Sequence, residues 1–271
     1  MKFRRTGFSC AVWLICAGLS LSALGCAQAP SSAKPEPANS APAEVQYLSP
    51  GQVDSVALLE PPPAAGSDAA AQDLKTVLAT QRAAHTEGTI ERAMGDAQLE
   101  CARVADMLPS VTGAGTAALD FATRAALRAA GATGAAKRYW QRPRPYVLSP
   151  EVEHPGDIAI AHSLAPAAAH DWDYSSYPSG HAAFGIACSI VLAQMVPEDR
   201  AALFARARAY GRSRVIIGAH FPTDVEAGQV IGTAAIAFML QNPQFQADLR
   251  AVRAGLRQEL KLPAEPPAPA P

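Results

Sequence analysis

An arginine, a histidine and an aspartate stand within the twelve residues of S-R-V-I-I-G-A-H-F-P-T-D, Ser213 to Asp224. His220 and Asp224 are four residues apart, so on a helical or near-helical segment their side chains face one side. A carboxylate placed there takes the proton of imidazole Nδ1, fixes the tautomer and leaves Nε2 with a nucleophilic lone pair. Arg214, six residues before His220, offers a planar fork of donors that matches phosphate oxygens. The plain alternative is a surface histidine paired with an aspartate beside an ordinary helix.

Two other stretches could serve the same chemistry. K-R-Y-W-Q-R-P-R-P, Lys137 to Pro145, holds four cationic side chains in nine residues. Pro143 and Pro145 force extended backbone around Arg144, because a residue before proline avoids the helical region. Lys137 is therefore expected at a helix end and Arg144 on a rigid turn. In S-S-Y-P-S-G-H, Ser175 to His181, a hydroxyl, a glycine and a histidine open an apolar run. A helix N-terminus presents unpaired N–H groups and partial positive charge to anions, and Gly180 lets an oxyanion approach the backbone. Ser179 as a plain N-cap, with His181 incidental, explains the same residues less ambitiously. His154, His162 and His170 recur at intervals of eight, but no close histidine or cysteine pair accompanies them, so they read as surface or rim residues and not as metal ligands.

The elements that must position these groups read as helices throughout. Nearly half of the 271 residues are apolar, alanine is abundant and aromatic residues are few, which favours helix over sheet. Helices are expected from Ser67 or Asp68 to Ala84, from Thr86 to Leu108, and from Thr116 to Ala130 with Leu119, Ala122, Ala126 and Ala130 on one face. Further helices are expected over Ala182 to Val196, from Pro197 or Glu198 into Arg214, over Pro222 to Leu240, and over Pro243 to Leu260. Residues 148–176 read as a long loop. Phe245, Leu249, Val252 and Leu256 share one stripe of the last helix, and Ala227, Gly228, Gly232, Ala235 and Ala237 give its predecessor a small-residue surface suited to close packing. The formal net charge is −1 and no basic block stands out, which argues against a nucleic-acid partner. Together these point to an all-α, single-domain helical bundle.

The N-terminal 26 residues have the form of an export signal. Lys2, Arg4 and Arg5 precede an apolar run from Phe8 to Leu24, too short for a comfortable membrane span. Ser22-Ala23-Leu24-Gly25-Cys26 resembles a bacterial lipoprotein signal, with Cys26 the lipidation point; cleavage after Ala29 would leave Pro30 first, which is unfavourable. Residues 27–44 are a flexible Pro/Ala/Ser tether, 45–262 the catalytic body, and 263–271 a Pro-rich tail. The expected location is the periplasm or cell envelope, with a lipid anchor as the only membrane attachment. Cys101 and Cys188 remain in the body, where a disulfide and two buried thiols are equally compatible with the sequence. The sequence leaves a homo-oligomer open.

Taken in order, K-x(6)-R-P, P-S-G-H and S-R-x(5)-H-x(3)-D resemble the signature of the phosphatidic acid phosphatase type 2 / vanadium haloperoxidase superfamily at all eleven fixed positions. The likeness extends to bacterial class A non-specific acid phosphatases through Y-L-S-P at Tyr47, the triple proline at Pro61, D-F-A-T-R-A at Asp120 and S-Y-P-S-G-H. Ser176 stands where that family usually has glycine, Ala182 where it has threonine, and H-F-P-T-D replaces a more usual H-W-Q-S-D. The resemblance implies hydrolysis of small phosphomonoesters through a phosphohistidine, with no metal or other cofactor. His220 would be the nucleophile, Asp224 its support and His181 the acid; Lys137, Arg144, Arg214, Ser179 and Gly180 would bind phosphate. Two rivals share these residues. Lipid-phosphate phosphatases usually carry several membrane spans, which the body lacks, and vanadate-dependent haloperoxidases are longer chains.

Overall fold

A computed structural model describes residues 46–106, 116–154 and 175–264. Cys26, His162 and His170 lie outside them, as do residues 155–174 of the expected loop. Among the described residues every regular element is helical: α1 (Ser55–Leu58), α2 (Asp68–Glu87), α3 (Ile90–Gly95), α4 (Cys101–Ala105), α5 (Thr116–Gly131), α6 (Gly134–Trp140), α7 (Pro145–Leu148), α8 (Gly180–Met195), α9 (Arg200–Ile216), α10 (Pro222–Met239) and α11 (Pro243–Glu259). A 3-10 turn, Pro197–Asp199, leads into α9.

The centre is α8, packed against α5, α9 and α10. Its sequence has almost no polar face, and Ala183, Phe184, Ala187, Val191, Leu192 and Met195 are all buried. A helix apolar on every side has to be covered on every side. The small residues of α10 serve that cover. A Cβ on Gly228 would lie 2.2 Å from the Ser179 carbonyl oxygen, and one on Gly232 would lie 2.4 Å from that of Ala183. The two helices therefore meet backbone to backbone, a contact no side chain could share.

On the other flank Ala118, Phe121, Ala122, Ala125, Ala126 and Ala129 of α5 are buried, a broader face than the four positions read from the sequence. Phe121 stacks on Phe245 of α11 at 5.3 Å, and Tyr47 closes on both rings edge-on. Phe245, Leu249 and Leu256 are buried along the expected stripe, with Val252 partly so. Cys101 and Cys188 form a disulfide, which joins α4 to α8 and settles the alternative the sequence left open.

One expected helix is not continuous. The segment from Thr86 to Leu108 divides into the end of α2, then α3 and α4. Gly88, at φ +67°, closes α2 in the left-handed conformation. Beyond α3 the chain turns inward to deliver Asp96 to Arg206 and Ser213, with Asp96 Oδ1 2.5 Å from Arg206 Nη2 and Oδ2 2.6 Å from Ser213 Oγ. A periodic apolar pattern runs through this turn. What overrides it is a buried charge pair whose partners lie more than a hundred positions away.

Candidate active site

The backbone of residues 137–148 sets the cations. α6 is closed by Gln141 in the left-handed region at φ +45°, after which Arg142-Pro143-Arg144-Pro145 runs extended into α7, with Arg144 as its N-cap at φ −76°, ψ 156°. Lys137 opens the last turn of the short α6, and its carbonyl accepts from the capping Gln141 N–H. It is buried and its Nζ donates to the Ser175 carbonyl at 2.5 Å. Arg144 reaches inward, and its Nη1 donates to Ala219 O at 3.0 Å and lies 3.3 Å from His220 Nε2.

At the start of α8, Ser179 Oγ accepts from the Ala182 N–H at 3.2 Å, and Ser179 N donates to Asp224 O at 2.8 Å. The first turns of α8 and α10 are thus bonded to each other. The nearest neighbour to a Cβ on Gly180 would be Thr133 Oγ1 at 3.7 Å, so the protein does not crowd that backbone. His181, on the first turn, has Nε2 3.1 Å from Ala97 O. A carbonyl can only accept, so this nitrogen carries the proton and Nδ1 is the open position.

α9 ends at Arg214 and its successors. The Arg214 carbonyl accepts from the N–H groups of Ala219 and His220, and Gly218, at φ +67°, makes the turn; a Cβ there would lie 2.5 Å from Glu153 O. The wrap lays His220 back over Arg214. Arg214 is 2 % exposed; its Nη2 donates to Ala93 O at 2.5 Å, while its Nε is a buried donor with no partner among the described residues. Burial lowers the Arg214 guanidinium to about 10, which leaves it charged at neutral pH.

His220 is buried just before α10, and Asp224 lies within its first turn. Here the structure departs from the expected pairing. His220 Nδ1 is 2.7 Å from the Ser176 main-chain carbonyl and 3.6 Å from Asp224 Oδ2, so the carbonyl takes the Nδ1 proton. The carboxylate is occupied elsewhere: Oδ2 accepts from Phe221 N at 2.8 Å and from Ser176 Oγ, and Oδ1 from Arg142 Nη1 at 2.6 Å. The residue at helix position N3 reaches back to cap the backbone, which draws it away from the imidazole. Burial works to raise the Asp224 carboxyl, but His220, Arg142 and Ser176 outweigh it and hold the group below its ordinary value. Asp224 therefore acts on His220 as a nearby negative charge.

Electrostatics bind these groups into one site. Burial first, then Arg144 and Lys137, push His220 down to about 3 against the opposing pull of Asp224. Burial, Arg214, His220 and Arg144 push His181 well below its ordinary value. Both imidazoles are neutral at neutral pH. Lys137, Arg144, Ser179, Gly180, His181, Arg214, His220 and Asp224, scattered over 88 positions of sequence, are brought together at the adjoining starts of α8 and α10 and the end of α9. His154, expected at the surface or rim, is half-buried; its ring stacks on Tyr146 at 4.0 Å, and its Nδ1 lies 2.9 Å from Ile217 O.

Sequence reasoning passed over Arg142, Asp73, Ser176, Asp96 and Arg206. Arg142 was one of four cations in its run, and Ser176 only a departure from glycine. Asp96 buttresses the site through Ser213, beside Arg214, and heads the segment whose Ala97 carbonyl holds His181. The signal for each is a buried partner distant in the chain.

A family model described as PAP2 superfamily matches residues 117–248. The chain is 32% identical over 219 residues to the non-specific acid phosphatase of Providencia stuartii, covering 76% of this chain and 83% of that protein. It is 29% identical over 216 residues to the acid phosphatase of Zymomonas mobilis subsp. mobilis, 76% of each. A shorter likeness, 40% over 70 residues, links it to the lipid A 1-phosphatase of Rhizobium johnstonii, over 26% of this chain and 28% of that protein. The chain belongs to the PAP2 superfamily, among its bacterial acid phosphatases, which are phosphoric monoester hydrolases.

Proposed function

We propose that the chain is an exported acid phosphatase that cleaves small phosphomonoesters through a phosphohistidine on His220, without a metal. The observation that carries this reading is the environment of the His220 ring. A carbonyl acceptor at 2.7 Å requires a proton on Nδ1, and a guanidinium donor at 3.3 Å requires a lone pair on Nε2. A buried imidazole held neutral, with Nε2 turned to the Arg144 guanidinium, is arranged to attack a bound phosphoryl group.

Lys137, Arg144 and Arg214, with the Ser179 hydroxyl and the Gly180 N–H, hold the non-bridging oxygens; positioning and electrostatics supply most of the catalysis in phosphoryl transfer. Nε2 forms a bond to phosphorus as the bond to the leaving oxygen breaks. His181 gives that oxygen a proton from Nδ1, since its Nε2–H is committed to Ala97. An arriving phosphate dianion offsets the charges of Arg214 and Arg144, so His181 gains its proton as substrate binds. In the second step His181 takes a proton from water, the water oxygen attacks phosphorus, and the P–N bond breaks to release phosphate and neutral His220.

Rapid quenching with a labelled aryl phosphate in the presence of EDTA tests this directly. The expected result is an acid-labile, base-stable phosphoenzyme located on His220. Labelling that chelation removes and a divalent cation restores would overturn the metal-free reading. The likeness to a lipid A 1-phosphatase covers only 26% of this chain, and no helix of the described residues is long and apolar enough to cross a membrane; the small-ester reading rests on the longer matches to acid phosphatases.

Export and anchoring are part of the same proposal. The leader ending at Cys26 and the Cys101–Cys188 disulfide, a bond suited to oxidising compartments, support it. Cys26→Ser is expected to abolish acyl labelling and release the enzyme from membranes. Persistent acylation of that variant would refute the assignment.

A further inference from the structure

We propose that Arg142, held by Asp73, is a positioning residue that fixes the tautomer and placement of His220 from the Nδ1 side. The inference rests on His220 being the nucleophile and adds the device that orients it.

Arg142 and Arg144 are separated only by Pro143, yet their guanidinium groups part to different partners. Arg144 goes to the Nε2 side of His220. Arg142 goes behind it, 8 % exposed, and divides its guanidinium between two carboxylates. Nη1 donates to Asp224 Oδ1 at 2.6 Å and to Thr223 Oγ1 at 2.8 Å, and Nη2 donates to Asp73 Oδ2 at 2.8 Å. Thr223 Oγ1 donates in turn to Asp73 Oδ2 at 2.5 Å, closing a ring across α2, the Arg142 segment and α10. The guanidinium also lies 4.0 Å from the centre of the Phe221 ring. Three kinds of contact fix it in one place.

That place decides where the Nδ1 acceptor sits. Ser176 N donates to the Arg142 carbonyl at 2.8 Å, and Ser176 Oγ donates to Asp224, which Arg142 holds. The peptide carrying the acceptor for His220 is thus tied to Arg142 through its backbone and through its side chain. Arg142 also keeps Asp224 ionised: without it, Asp73 and Asp224 would be left as two buried carboxylates lacking the cation they share. An ionised Asp224 is what favours the positive charge that develops on His220 as the P–N bond forms. Arg142 itself is directed to carboxylates and not to the phosphate seat.

A lysine can supply the charge but not the fork that spans two carboxylates. Arg142→Lys and Asp73→Asn would be compared with the parent full chain, using an aryl phosphate for kcat and KM and inorganic phosphate for Ki. The His220 tautomer would be read by 15N NMR of histidine-labelled protein. Arg142→Lys is expected to lower kcat by about 10²-fold, the scale set by sub-ångström to ångström misplacement of a reacting group. Phosphate Ki should stay within about threefold, because the three seat cations are intact, and the Nδ1–H tautomer should lose its dominance. Asp73→Asn should move the same readouts in the same direction by about tenfold; it carries the test if Arg142→Lys does not fold. Unchanged kcat and tautomer in a folded variant would reduce the network to scaffolding. A weakened Ki with unchanged kcat would make Arg142 a phosphate ligand instead. Mapping the phosphoenzyme in the parent separates the two levels: a label away from His220 defeats the nucleophile assignment, whereas a label on His220 with indifferent variants defeats only the role of Arg142.

Discussion

His220→Ala is expected to remove turnover of aryl and alkyl phosphomonoesters alike, by about 10⁴-fold or more, the scale seen when a covalent nucleophile is deleted. No phosphoenzyme can form without Nε2, and a water cannot occupy the same place with the same alignment. Phosphate binding should survive, because Lys137, Arg144, Arg214 and the start of α8 do not depend on the imidazole. The measurement is kcat/KM on several esters together with Ki for phosphate. Retention of more than about a hundredth of the rate would mean that another group attacks. The same residue sets the acid limb of the parent. With His220 held near 3, chiefly by burial and then by Arg144, its nucleophilic neutral form is lost only as pH falls through about 3. Free-enzyme kcat/KM should therefore rise through that pH and be insensitive to His220 above it.

The second large effect separates the two histidines. His181→Asn should lower kcat/KM for a sugar or other alkyl phosphate by about 10² to 10⁴ more than for nitrophenyl phosphate. Nitrophenolate departs unaided, whereas an alkoxide needs a proton as it leaves. The quantity kcat/KM reports steps through phosphoenzyme formation and excludes the later hydrolysis, in which His181 acts again. His181 is pushed well below its ordinary value, first by burial and then by Arg214, and the acid is its protonated form. The parent should accordingly lose alkyl-phosphate activity as pH rises, and the variant should lose that dependence. Equal losses on both classes of ester would leave His181 a phosphate ligand only.

The residues proposed to handle phosphate were legible because their spacing is local. P-S-G-H is four consecutive residues, and His220 and Asp224 are one helical turn apart, so chemistry and geometry could be read together. Fold class was legible for a similar reason, since helix formation follows from composition and short-range periodicity. What the sequence concealed is tertiary. Arg142 acquires its meaning from Asp73, 69 positions away, and from Asp224, 82 positions away. The Nδ1 acceptor is a main-chain carbonyl, and every residue has one, so no side-chain pattern could announce Ser176. The same cause broke the expected 86–108 helix, where Asp96 leaves a helical pattern to meet Arg206.

The hydrogen bond from Ser179 N to Asp224 O, with Gly228 and Gly232 seated on the carbonyls of Ser179 and Ala183, has a bearing on selectivity. On the proposed reading, the nucleophile and the oxyanion seat belong to two helices joined at the backbone. A site whose parts are fixed by such a joint needs little binding energy from the alcohol portion to assemble it. It would grip the phosphoryl group common to monoesters, and any narrowing of substrate range would fall to the rim.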